Sequence, residues 1–495
     1  MLIAGLDIGT TGCKISVFKE TGEFAGKVYQ EYTVIRTQNE HEVDSSAIWA
    51  AVRQIIRKAS DQYGVINGIG ITSFGESFVL LDEKDEPLHP AMLYTDPRGQ
   101  EECAALTAKL GAEKIIQITG LNPHSMYSLP KLMWIKNHRP EIFARARRVC
   151  LMEDYIVYLL SKKAQIDYSL ASRTMAFDIH SLSWSKEILQ AAKIDAGIFS
   201  IPVPTGTSAG KIRRALATEL GISEDAEIVS VSHDQVAAAI GSGVFEKSLA
   251  VDGAGTVECI TPVFSDLKHI KQLAENHYSI VPYIIPGTYV CYAFSFTGGA
   301  LVKWFVDNLA GYAAQQAKRK EISIYRELED NWGNAPTGLL VLPHFAGAAT
   351  PYMDAGSKGA IVGLTLANTQ HDIHLAIMEG VCYEMLLNIR QLEKAGIMIS
   401  QLHATGGGAN SRVWMQMKAD VLNLPVTALQ SVEAGATGSA MLVGVATGIF
   451  ANLNDAAKLM VVPKETYYPR REVHEEYLKY YERYQMLYQA IRPLV

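Results

Sequence analysis

Apolar and polar positions over the first 18 residues form two short strand-like runs around a small polar turn. Leu2-Ile3-Ala4-Gly5-Leu6-Asp7-Ile8 empties into Gly9-Thr10-Thr11-Gly12, and Cys13-Lys14-Ile15-Ser16-Val17-Phe18 follows, so the pattern predicts a hairpin. The same unit returns at Ser248-Leu249-Ala250-Val251-Asp252-Gly253-Ala254-Gly255-Thr256-Val257-Glu258-Cys259-Ile260. Its Gly-Thr pair stands at 255/256 instead of 9/10, an offset of 246 residues. A repeat at this spacing predicts two structurally related halves. Between them Ile228-Val229-Ser230-Val231-Ser232 reads as a strand running into His233-Asp234-Gln235, with a helix over Val236 to Ile240. The boundary is placed just beyond, near Gly243, giving domains over 1–244 and 245–495.

In the second half, Gln401 to Thr405 predicts a strand ending at Gly406-Gly407-Gly408, then a helix from about Asn410 to Leu422 closed by Asn423 and Pro425. A longer helical pattern runs from Asp372 to Lys394. Tyr477, Tyr480, Tyr481, Tyr484 and Tyr488 recur at helical spacing and read as a packing face. Two uncharged stretches are long enough to test as membrane spans. Tyr278 to Val302 alternates like two strands joined at Pro286-Gly287, and Ala434 to Asn454 is studded with glycine and reads as a buried helix of a globular core.

Composition excludes a disordered chain: of 495 residues, 48% are apolar and 20% charged, so a large core can form. The 45 basic and 52 acidic side chains leave a net charge of −7, which gives no footing for wrapping nucleic acid or binding an anionic membrane. Small molecules become the expected partners. Six scattered cysteines without a C-x-x-C read as reduced core thiols rather than a zinc site. Met1 to Leu6 lacks a basic region and is cut by Asp7, unlike a signal peptide, so a cytoplasmic location is expected.

A Gly/Thr turn between buried strands offers N–H groups and hydroxyls that can hold phosphate oxygens. It is not a Walker loop, because no G-x-x-x-x-G-K-[ST] occurs. Asp7, ending a buried strand, is costly as a bare charge, and Mg²⁺ with its waters would supply a partner; Lys14 adds positive charge on the same hairpin. An ordinary β-turn is the bland alternative for one hairpin, and the repeat argues against it. Gly406-Gly407-Gly408 lets a flat ligand such as adenosine approach the backbone, though such a turn is also often only a sharp bend. Asp234, where strand meets helix, is either a helix cap or a carboxylate that takes a proton from a substrate hydroxyl. Glu76 is either a solvated loop residue or a pocket group. Asp96 and Arg98 are either a polyol-binding pair or a structural ion pair. His371 and His374 have ligand spacing but no third partner, and are expected at the surface.

Taken together, Asp7-Ile8-Gly9-Thr10-Thr11, Met126-Tyr127-Ser128-Leu129-Pro130-Lys131-Leu132-Met133-Trp134, Asp154-Tyr155, Asp167 to Thr174 and Gly406-Gly407-Gly408-Ala409-Asn410 resemble the FGGY carbohydrate kinases. So do Leu342-Pro343-His344, Thr350-Pro351-Tyr352, Gly363-Leu364-Thr365-Leu366, Glu379-Gly380 and Glu433 to Gly438, in order from residue 1 to roughly 450. The resemblance implies two actin-like domains of ribonuclease-H-like fold, with ATP and sugar in the cleft between them. It implies Asp7 on Mg²⁺ through water, Thr10, Thr11 and Lys14 at the transferred phosphoryl group, and Gly255 and Thr256 at the remaining phosphates. Gly406, Gly407 and Asn410 would meet adenosine, and Asp234 matches the catalytic base. Glu76, Asp96, His233, Gln235 and Tyr127 fall on segments lining the sugar pocket. A homodimer is the expected assembly.

Two departures bear on the acceptor. Alanines stand in Gly347-Ala348-Ala349-Thr350-Pro351, where many relatives carry arginine. Gly75-Glu76 replaces the Met-His of xylulose-type members, and Asp234-Gln235 is closer to the glycerol type. These departures leave the acceptor open; the expected activity at family level is phosphorylation of a ketopentose such as xylulose, with a glycerol or polyol kinase as the alternative. A non-catalytic actin-like nucleotide switch is the rival from another class, and a degenerate sugar sensor a third. The set Asp234, Glu76 and Gln235 argues for a second-substrate pocket that a switch would not need.

Overall fold

The computed structural model describes residues 1–330, 332–430 and 433–495. Strands β1 (Leu2–Ile8) and β2 (Gly12–Lys19) form the expected hairpin, extended by β3 (Phe24–Glu31). The alternation of β1 buries Leu6 and Ile8 on one face while Asp7 lies opposite, and each such apolar side chain contributes about 1.5–3 kcal/mol. Helix α1 (Ser45–Tyr63) covers the hairpin and leads to β4 (Ile66–Ser73), which runs parallel to β1. Later come β5 (Thr207–Lys211) and β6 (Glu227–His233), completing a six-stranded sheet in the order β5-β6-β4-β1-β2-β3. Helix α2 (Asp234–Gly241) follows β6 without a loop.

The second half repeats this plan. Strands β7 (Leu249–Ala254) and β8 (Glu258–Phe264) form an antiparallel hairpin, with β9 (Ile280–Pro282), β10 (Tyr289–Cys291) and β11 (Ala293–Ser295) on its outer side. On the inner side β12 (Gln401–Thr405) is parallel to β7, β13 (Val426–Leu429) is parallel to β12, and β14 (Pro463–Tyr467) closes the edge antiparallel. The order β9-β10-β8-β7-β12-β13-β14 matches the first sheet strand for strand from the hairpin inward. These are two actin-like domains of ribonuclease-H-like topology.

Three helices of this half shape the site: α3 (Gln370–Lys394), α4 (Arg412–Leu422) and α5 (Ala434–Ala446). Helices α2 and α5 pack on each other, and α5 also lies on β1 and β4 of the first sheet. Their contact is reciprocal: a Cβ on Gly241 would run into the carbonyl oxygen of Ala434, and one on Gly438 into that of Ala237. Only glycine allows this approach.

Several expectations change. The helix expected over Ala434 to Asn454 ends at Ala446, with Gly448 left-handed at φ +73° and a new helix from Leu453. The helix expected from Asn410 begins at Arg412, because Ser411 caps it by accepting from Trp414 N, and Gly407–Asn410 is a 3₁₀ turn. His374 is not at the surface: a capping box at Thr369 and Asp372 starts α3 so that His374 falls on its core face, 4.0 Å from Glu329 and against Phe305. The strands expected within Tyr278 to Val302 form, but a helix starts at Gly299. Among the described residues, all six cysteines are buried and free, and no helix is long and apolar enough to cross a membrane.

Candidate functional site

Both sheets place their chemistry where parallel strands end, as open α/β sheets generally do. Asp7 pairs with Thr72, and Ser73 with His233, so the carboxyl ends of β1, β4 and β6 bring together the Gly9 turn, the Phe74 to Ser77 loop and Asp234. In the second sheet the ends of β7, β12 and β13 carry Gly255, Gly406 and the segment entering α5.

Asp234 is the first residue of α2, and its cap position is taken by His233, so the capping alternative does not hold. Burial pushes its carboxyl up to about 7, with the charges of Asp7 and Glu76 adding to the effect. Its Oδ1 is buried and has no hydrogen-bond donor among the described residues. A carboxyl poised there suits proton abstraction near neutral pH. His233 is held from behind, its N–H donating to Ser169 Oγ at 2.9 Å while that hydroxyl donates to Asp167. Burial, and then the Arg173 charge, keeps the imidazole neutral.

Glu76 is a buried partner rather than a solvated loop residue. Its backbone is left-handed at φ +65°, its carbonyl accepts from Ser128 Oγ at 2.6 Å, and its carboxylate takes the Arg173 Nε at 2.6 Å. Arg173 is 4% exposed, lies over the rings of Tyr127 and Tyr292 at 5.1 and 5.6 Å, and has an unpartnered Nη1. Tyr127 reaches Ser279 of the second half at 3.0 Å. Gln235 is partly exposed beside the base. Asp96 corrects a sequence expectation: Oδ1 accepts from Arg98 N and Nε, and Oδ2 from His41 N and Arg98 Nη2, so the ion-pair reading holds and no oxygen is left for a sugar.

On the first hairpin, Lys14 stands 3.6 Å from Asp7 and is ion-paired to Glu433, which also takes Lys27 at 2.7 Å. Burial and the Glu433 charge raise the Asp7 carboxyl, with Lys14 opposing. The hydroxyls of Thr10 and Thr11 make no hydrogen bond among the described residues, and the turn is braced by Gly9 N donating to Gly12 O and by the Tyr32 hydroxyl on Gly9 O.

Across from it, a cavity of about 1280 Å³ is lined by Gly255, Thr256, Gly407, Gly408 and Asn410. Four of the expected nucleotide contacts thus share one wall. Gly406, left-handed at φ +89°, packs its backbone on Ala254, where a Cβ would lie 2.6 Å from the carbonyl oxygen, so the glycine loop and the second hairpin form one unit. The remaining wall carries exposed Trp304 and Tyr325 with Lys303 and Arg326, able to stack a flat base and meet its phosphates. Those four were missed in the sequence, as were Arg173, Tyr292 and Glu433 as functional groups. Arg173 had a signal, the one cation in the quoted motif Asp167 to Thr174; Tyr292 had none.

The sequence model of the FGGY family of carbohydrate kinases matches this chain as an N-terminal domain over residues 2–241 and a C-terminal domain over 255–447. Among curated relatives, a xylulose kinase of Staphylococcus epidermidis is 26% identical over 100% of this chain and 97% of its own. A glycerol kinase of Lactococcus lactis is 29% identical over 94% and 93%. A solved gluconate kinase from Lactobacillus acidophilus superposes with a TM-score of 0.89 at 23% identity, over 99% of this chain and 98% of its own. The cleft, the paired hairpins and these matches agree: the chain belongs to the FGGY family of carbohydrate kinases and is an ATP-dependent phosphotransferase.

Proposed function

We propose that this kinase phosphorylates a hydroxyl of a small open-chain ketose or polyol, with a pentulose such as xylulose as the favoured acceptor. The observation that carries the reading is the partly exposed Asp234 with the buried pair Glu76 and Arg173, which sets a base with one acceptor and one unpartnered donor. A neutral polyhydroxylated molecule can satisfy both. An acid sugar would set its own anion near Asp234 and Glu76. Asp234 accepts the hydroxyl proton as the sugar oxygen bonds to the γ-phosphorus and the bond to the bridging oxygen of ADP breaks. Thr10, Thr11 and Lys14 hold the moving group from one half while Gly255 and Thr256 hold the rest of the nucleotide from the other, with the boundary between the halves at 244/245. The cleft closes to bring the two sets together and exclude water.

Asp7 fits a Mg²⁺ site, since a partly exposed carboxylate raised by burial and opposed only by Lys14 is the hard oxygen donor that a hydrated Mg²⁺ on phosphates takes. Bound there, the ion would neutralise charge on the phosphate oxygens. Glycerol is the second acceptor, supported by Asp234-Gln235 and the 29% identical relative.

ADP release measured over pentuloses, polyols, aldohexoses and sugar acids tests the acceptor class. Turnover with pentuloses or polyols is expected, and turnover of aldohexoses or sugar acids alone would overturn it. In the same assay Asp234→Ala lowers kcat by roughly 10² or more, with nucleotide binding retained.

A further inference from the structure

The histidine that precedes the base is contacted from the opposite half of the molecule. Tyr292, between β10 and β11, places its hydroxyl 2.9 Å from His233 Nδ1, and the two rings stand 5.3 Å apart. The other face of the same imidazole puts Nε2 3.3 Å from Asp234 Oδ1, short of an aligned hydrogen bond, and that oxygen has no other donor among the described residues. Tyr292 and His233 are enclosed, at 5% and 7% exposed, and Asp234, whose side chain is 37% exposed, turns its buried Oδ1 toward them.

The chemistry of the row fixes its protons. The phenol of Tyr292 stays protonated, because burial holds its ionisation far above the ordinary range, and among the described residues His233 Nδ1 is the acceptor its hydroxyl meets. A neutral imidazole that accepts at Nδ1 carries its proton on Nε2, aimed at Asp234. Arg173, lying over the Tyr292 ring, disfavours a second proton on the imidazole.

We propose that Tyr292, from the second domain, acts through His233 of the first as a pair of positioning residues that orient Asp234, so that the base is aligned only when the two halves are engaged. The inference rests on the reading of Asp234 as the base. A small turn of the imidazole straightens Nε2–H toward Oδ1, leaving Oδ2 to take the sugar proton. Bonds of this kind commonly tighten only in the ternary complex. His233 was expected among the sugar contacts, and the relay assigns it a different task, because both its ring nitrogens are occupied by protein groups.

The two roles separate in steady-state kinetics with the favoured pentulose. Under the relay, Tyr292→Phe lowers kcat roughly 10-fold with the sugar KM changed less than about twofold, since only orientation of the base is lost. His233→Asn, which keeps an amide at the Nδ1 position, loses more. His233→Gln, whose amide nitrogen stands in for Nε2, retains kcat within about threefold, and adding Tyr292→Phe to it costs almost nothing further. Thermal midpoints near wild type establish that each variant folds. A raised KM with unchanged kcat would make His233 a sugar ligand and overturn the relay. So would an undiminished Tyr292→Phe cost in the His233→Gln background. If Asp234→Ala is inactive while Tyr292→Phe has wild-type kcat, the relay alone falls; if Asp234→Ala keeps its kcat, the base assignment falls and the relay with it.

Discussion

The two hairpins share a backbone plan but spend their charges on opposite faces. In the first, Asp7 and Lys14 are cross-strand partners; the equivalent pair in the second is Gly253 and Cys259. On the other face, the first hairpin carries fully buried Leu6, Ile8 and Cys13, where the second has Asp252, Ala254 and Glu258. Ile8 pairs with Cys13 whereas Ala254 pairs with Glu258, so the second turn is one residue shorter. Moving a charge by one position along a strand moves it across the sheet. Asp7 and Lys14 therefore face the cleft, each about a quarter exposed, while Asp252 and Glu258 face inward and meet Lys418 of α4 in a fully buried cluster. Burial and Asp252 raise the Glu258 carboxyl against the pull of Lys418, which fits one cation serving two carboxyl groups. Charges on the first hairpin are available for chemistry. Those on the second brace the wall of the cavity lined by Gly255 and Gly407, since Lys418 also lies 5.1 Å over Trp414.

The largest effect should follow from removing the charge that faces the cleft. Asp7→Asn is expected to lower kcat by on the order of 10³, the scale of a lost metal contact, while the thermal midpoint stays level or rises because a desolvated carboxylate has been neutralised. A drop of many degrees in the midpoint with kcat preserved would reverse the roles given to the two faces.

The buried cluster should respond the other way. Lys418→Met leaves two carboxyl groups without their cation and is expected to cost about 3–5 kcal/mol of unfolding free energy in denaturant titration. Adding Asp252→Leu and Glu258→Cys gives the second hairpin the apolar face of the first, and the triple variant should recover to within about 1 kcal/mol of wild type. If the triple variant were no more stable than Lys418→Met alone, the cluster would not be interchangeable with an apolar face.

Much of this contrast was legible in the sequence. The Gly-Thr repeat gave both hairpins, and the apolar run into His233-Asp234 gave β6 and the place of Asp234 at its end, because strand periodicity and turn residues act over a few positions. What escaped depends on partners distant along the chain. Nothing local to Glu76 reports Arg173, 97 residues away, and nothing local to Tyr292 reports His233, 59 residues away. Asp96 looked equally like a ligand and an ion pair until His41 and Arg98 were seen to take both oxygens. His374 failed for a related reason: isolated histidines are usually exposed, but this one falls on the core face of a helix buried on nearly every side.

The smallest expected effect concerns the other carboxyl on the cleft side whose proton affinity is raised. Asp234 has its proton affinity raised from 3.8 to about 7 by burial, by Asp7 and by Glu76. Between those values the folded protein binds a proton that the unfolded chain has released, so its contribution to stability falls as pH rises from about 4 to about 7 and is level above. Asp234→Asn removes that dependence. Its thermal midpoint should exceed wild type at pH 8, by an amount that shrinks to nothing toward pH 4, while its kcat is lost. The wild-type kcat/KM should decline as pH falls through about 7, because the free enzyme must hold Asp234 deprotonated to accept the sugar proton. A midpoint difference that is the same at pH 4 and pH 8 would mean the strain at Asp234 is not electrostatic, and that cleft-facing charge in the first half is no costlier to the fold than the neutralised cluster in the second.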